Sequence, residues 1–148
     1  MAVNLAEGCG RQHGCKVLLI DGDLRAPRLH KLLGVPPGPG LAEYLQGGSN
    51  EMDIVQRGQE ENLFFVQAGN HVTHPSELIS NGRVQQLLAY YSTMFDWIIL
   101  DSPPVLPVSD AAVMAASCDG VLFVVRAATT PSQVSQKACQ ELRDAHIV

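Results

Sequence analysis

Three aspartates are placed where this sequence could do chemistry. Asp21 and Asp23 close the stretch Val17-Leu18-Leu19-Ile20-Asp21-Gly22-Asp23, and Asp101 closes Trp97-Ile98-Ile99-Leu100-Asp101. Each acid follows an unbroken apolar run, the pattern of a strand covered on both faces. Side chains alternate along an extended chain, so Asp21 and Asp23 point to one side. If the two runs end at the same edge of a sheet, three carboxylates converge there and repel one another unless a cation lies among them. Mg²⁺ suits such a place, because it takes one or two carboxylates and fills its other positions with water and phosphate oxygens. A carboxylate free of the metal can accept the proton of an attacking hydroxyl, as phosphoryl transfer requires. Aspartates at strand ends also start turns and cap helices. The pattern alone therefore leaves kinase, ATPase and other Mg²⁺-nucleotide enzymes open.

Positioning these acids requires a sheet. Leu63-Phe64-Phe65-Val66 and Val121-Leu122-Phe123-Val124-Val125 are two further apolar runs of strand length. Between the runs lie helical periods: Val84, Leu87, Leu88 and Tyr91 form one stripe, and Val134, Ala138, Leu142 and Ala145 form another. Thr130 and Pro131 mark the start of the last helix, as N-cap and first-turn residue. Buried strands alternating with amphipathic helices predict a mainly parallel α/β sheet with helices on both faces, in a single domain over 1–148. Residues 2–7 read as the back half of a helix running into a turn built on Gly8, Gly10 and Gly14. Residues 146–148 read as the start of another strand, so the domain reads as cut at both ends.

Composition narrows the function classes. The chain has 148 residues and a formal net charge of -5, which gives no basic footprint for nucleic acid or anionic lipid. No apolar run approaches the roughly 20 residues needed to span a bilayer, so no direct membrane insertion is expected. Cys9, Cys15, Cys118 and Cys139 have no metal-ligand spacing and read as reduced thiols of a cytoplasmic protein. His71 and His74 read as a loop pair.

The residues around the acids carry a resemblance. The stretch from Lys16 through Asp21-Gly22-Asp23-Leu24-Arg25-Ala26-Pro27 resembles the second Walker A-like motif of the bacterial tyrosine kinases that control capsule and exopolysaccharide synthesis. Phe95-Asp96-Trp97-Ile98-Ile99-Leu100-Asp101-Ser102-Pro103-Pro104 resembles their Walker B motif, and Val108-Ser109-Asp110-Ala111 fits the family's next segment. Gly40-Leu41-Ala42-Glu43-Tyr44-Leu45-Gln46-Gly47 and His74-Pro75-Ser76-Glu77-Leu78-Ile79-Ser80 also resemble segments of that family. The resemblance covers essentially the whole chain. It implies a P-loop NTPase-like fold, ATP and Mg²⁺ as cofactors, and tyrosine as acceptor. By motif position, Asp21 is the base and a metal neighbour, Asp23 assists it, and Asp101 holds the metal. It places the Pro-Ser-Glu-Leu segment away from the chemistry, where it reads as a helix start. The implied partners are further copies of the chain and a membrane-embedded activator or polysaccharide co-polymerase, at the inner face of the membrane.

One part of the pattern is missing. No G-x-x-x-x-G-K-[ST] string occurs in the chain, so no cofactor-binding residue can be assigned to a phosphate loop. The Gly-rich stretch from Gly8 to Lys16 precedes a strand, and Val17 follows its lysine where the loop needs a hydroxyl. The expected sheet therefore lacks the P-loop strand, and the chain alone is expected to be inactive as a kinase. Two alternatives are a partition- or division-site ATPase using the same acids on water, and a non-catalytic remnant of the fold. Tyr44, Tyr90 and Tyr91 read as core or helix-surface residues rather than phosphoacceptors.

Overall fold

The protein is described by a computed structural model covering residues 1–11, 14–106 and 109–144. Ala145, the strand start expected at 146–148 and Val108 of the post-Walker-B stretch lie outside the described residues. In chain order the elements are α1 (Ala2–Gly10), β1 (Val17–Asp21), α2 (Leu29–Leu32), α3 (Leu41–Leu45), β2 (Val55–Arg57), β3 (Leu63–Val66), α4 (Pro75–Ile79), α5 (Arg83–Tyr91), β4 (Trp97–Asp101), α6 (Asp110–Ala115) and α7 (Ser132–Asp144). Among the described residues the strands form one sheet in the order β2-β3-β1-β4. The β1 strand pairs in parallel with both β3 and β4, while β2 adds antiparallel to β3.

Strand alternation sorts the core into two layers. Leu18 and Ile20 of β1, Phe64 and Val66 of β3, and Ile98 and Leu100 of β4 face one layer, built with α3, α4, α5 and α6. Val17 and Leu19, Leu63 and Phe65, and Ile99 face the other, where Ala6 of α1 and Leu29 of α2 pack. The sheet thus carries helices on both faces, which is why its central runs contain no polar residue. Each of Leu18, Leu19 and Ile20 is fully buried and contributes roughly 1.5–3 kcal/mol relative to exposure. The stripe expected at Val84, Leu87, Leu88 and Tyr91 is the buried face of α5.

Three local expectations are corrected, and one unforeseen strand is added. The run at residues 121–125 forms no strand, and Leu122 is 67% exposed. Apolar composition favours burial, but a strand also needs a hydrogen-bonding neighbour. Among the described residues the only strand beside β4 is β1, and Trp97 is 52% exposed. The β2 strand, short and polar, carries no periodic signal in Val55-Gln56-Arg57. Gly8 and Gly10 belong to α1 rather than to a turn. The last helix begins one residue later than expected, with the Pro131 carbonyl accepting the N–H groups of Val134 and Ser135.

Candidate active site

The register of β1 and β4 sets Asp21 opposite Asp101. Both strands end there, at the carboxyl edge where open parallel sheets take their ligands. The chain leaves β1 pressed against the end of β4: the Gly22 N–H donates to the Asp101 carbonyl at 2.8 Å. A β-carbon at Gly22 would lie 2.7 Å from that oxygen and 3.0 Å from the Met114 sulfur. Glycine is required here for close approach, and the approach keeps the two acids adjacent.

The three acids differ in what holds them. Asp21, 1% exposed, accepts the N–H of Asp23 on Oδ1 at 3.3 Å and that of Leu29 on Oδ2 at 3.1 Å. Burial raises its carboxyl above the usual range; the Leu29 and Asp23 amides pull it part way back, and Asp101 adds repulsion. Asp23 uses Oδ1 to accept the N–H groups of Arg25 at 3.2 Å and Ala26 at 3.0 Å, turning the loop after β1. Asp101 is half-buried and its carboxylate accepts no hydrogen bond among the described residues. Its carboxyl is also raised, by burial first, with the Met1 ammonium opposing and Asp23 adding repulsion. Among the described residues no three His, Cys, Asp or Glu side chains gather as a metal cage.

A fourth acid was missed from the sequence. Asp110, the first residue of α6 and 1% exposed, accepts Arg25 Nε at 2.8 Å, Arg25 Nη2 at 3.4 Å and the Ser76 hydroxyl at 2.6 Å. Arg25 Nη2 also donates to Ser76 Oγ at 2.7 Å. The Pro-Ser-Glu-Leu segment does start a helix, with Pro75 first in α4, but through Ser76 it reaches the loop that carries the acids. Its expected distance from the site is corrected accordingly. Burial alone would raise the Asp110 carboxyl, yet hydrogen bonds from Arg25 and Ser76 outweigh it and hold the group below the usual carboxylate range. A depressed folded-state pKa adds stability that is complete above the unfolded value and is lost as pH falls through the folded one. We predict that Asp110→Asn is less stable than the parent at neutral pH. The difference shrinks below about pH 4, measurable by urea unfolding across that range.

Comparisons with known proteins agree on the class. No protein-family model matches the chain. The putative tyrosine-protein kinase EpsB of Ralstonia solanacearum is 34% identical over 134 residues, covering 90% of this chain and 18% of that protein. The tyrosine-protein kinase etk of Escherichia coli K12 is 35% identical over 132 residues, covering 89% and 18%. The chain thus spans less than a fifth of these curated relatives. Among solved structures, the Escherichia coli ETK kinase domain superposes with a TM-score of 0.89 at 33% identity, over 99% of this chain and 55% of that one. The VpsO kinase domain gives 0.87 at 31% identity, over 99% and 70%. The cell-division ATPase MinD of Pyrococcus furiosus gives 0.80 at 25% identity, over 99% and 61%.

The parallel sheet with acids at its carboxyl edge is an α/β domain of the P-loop ATPase type, shared by kinases and division ATPases. Within that class the chain belongs to the bacterial tyrosine-kinase family.

Proposed function

We propose that this chain is the metal-side portion of a protein-tyrosine kinase domain. When complete, that domain transfers the terminal phosphate of ATP to tyrosine and regulates capsule or exopolysaccharide synthesis. The carrying observation is the Asp21–Asp101 pair at the adjoining ends of β1 and β4. One buried and one half-buried carboxylate that repel each other are costly to keep charged without a cation, and the Asp101 oxygens accept no hydrogen bond among the described residues, so Mg²⁺ fits this donor set. Asp101 would hold the ion with Asp21 beside it, and the bound ion would neutralise charge on phosphate oxygens. Asp21 would accept the proton of the tyrosine hydroxyl, while Asp23 orders the loop around it.

The phosphoacceptor in this reading is neither Tyr44 nor Tyr91, and of the three tyrosines here only Tyr90, 42% exposed, is open to solvent. Tyr44 and Tyr91 are buried, and the Tyr91 hydroxyl is spent on the Glu51 carbonyl at 2.6 Å. Further copies and a membrane-embedded activator at the inner membrane face are the proposed partners. No described helix is long and apolar enough to cross a membrane.

The likeness to MinD favours one second reading, an ATPase in which the same acids act on water. Joining a relative's phosphate-loop strand upstream of this chain separates the two. The kinase reading expects Mg²⁺-dependent phosphotyrosine, reduced about 10²-fold or more by Asp21→Asn. Free phosphate without phosphotyrosine would select the ATPase.

A further inference from the structure

We propose that Asp110 and Ser76 are positioning residues that, acting through Arg25, hold the loop that follows Asp21 and bears Asp23 against the end of β4. The catalytic meaning of this inference rests on the kinase reading of the acid site; the positioning itself does not.

The loop between β1 and α2 is shaped from within by its own acids. Asp21 ties Asp23 to Leu29, and Asp23 ties Arg25 to Ala26. Such turns fix local conformation but do not fix where the loop sits on the protein. Leu24, buried in the core, plants its centre. Beyond Leu24, the polar side-chain link from this loop to another element is Arg25, which reaches α6 through Asp110 and α4 through Ser76. The three partners form a closed network, since Ser76 accepts from Arg25 and donates to Asp110. They lie 34, 51 and 85 residues apart in sequence, so the network clamps three segments that the backbone does not hold together. Arg25 is 39% exposed on its side chain whereas Asp110 is 1% exposed. The fixed member is therefore the acid, and the guanidinium is what it positions. A planar fork is needed to meet carboxylate and hydroxyl together, which a lysine cannot supply.

Amide hydrogen exchange of the 148-residue chain tests this directly. In Asp110→Asn and in Ser76→Ala, the Arg25, Ala26 and Leu29 amides should exchange at least about tenfold faster than in the parent. Amides of β1 such as Leu19 should change much less. Arg25→Lys should behave like the two variants rather than like the parent. An equal change at loop and β1 amides would mean general destabilisation and would overturn the proposal, as would an unchanged loop. If Asp110→Asn does not fold, Ser76→Ala decides the question alone. A second arm uses Mn²⁺ as the probe, reading its relaxation effect on resonances near Asp101. Affinity should fall about tenfold in the loop-loosened variants. Failure of the parent to take up Mn²⁺ would count against the metal reading of the acids, while the exchange data would still decide the positioning.

Discussion

Purified chain incubated with Mg²⁺-ATP and a tyrosine-containing acceptor should form less than about a thousandth of the phosphotyrosine formed by a complete kinase domain of the family. The magnitude reflects the needs of phosphoryl transfer: positioning and charge stabilisation rather than covalent help, with single cationic groups worth about 10³-fold or more. Asp21 and Asp101 lie side by side here, but the lysine and amide cradle of a G-x-x-x-x-G-K-[ST] loop are not in the sequence. The Gly-rich stretch ending at Lys16 cannot substitute. Gly8 and Gly10 sit at the carboxyl end of α1, and Lys16 immediately precedes β1. Lys16 therefore lies at the amino end of the strand whose carboxyl end carries Asp21, roughly 16 Å away at the usual strand rise. Arg25 is committed to Asp110 and Ser76. Phosphotyrosine accumulating at a rate near that of a complete domain would sink the expectation and would point to a cationic group supplied from elsewhere.

Some of this was legible in the sequence, and the rest was not for physical reasons. Runs such as Leu63-Phe64-Phe65-Val66 announce strands because covering both faces removes polar alternation. The same composition at residues 121–125 gave a false strand, since apolarity reports a preference for burial and says nothing about pairing. Asp21 and Asp101 were legible because parallel pairing brings strand ends together whatever the loops do. The double duty of Asp21 and Asp23 as builders of their own loop depends on how residues 22–29 turn, which spacing does not encode. Asp110 was the hardest to see. Its partners are 34 and 85 residues away, and an acid in the first turn of a helix ordinarily needs no tertiary explanation. The Ser76 hydroxyl was hidden in the same way, behind the helix start that Pro75 already accounts for.

The close approach that makes the acid pair is itself testable. Gly22→Ala should destabilise the protein by about 1–3 kcal/mol, the usual range for overpacking a filled site. The upper part of that range is expected because the nearest obstacle is the Asp101 carbonyl, which belongs to the backbone and cannot rotate aside. Relief requires the loop to lift from β4, which breaks the Gly22–Asp101 hydrogen bond and parts the two carboxylates. The variant should therefore shift the urea midpoint and also move the Asp101 and Ser102 amide resonances, while those of α5 stay in place. Gly8→Ala is the matched control: its added methyl meets nothing within 4 Å, and inside α1 it should stabilise by about 0.5–1 kcal/mol through helix propensity. If Gly22→Ala unfolds at the parental midpoint with Asp101 unshifted, the acids are not held together by this glycine, and the loop clamp of Arg25, Ser76 and Asp110 would have to set their separation alone.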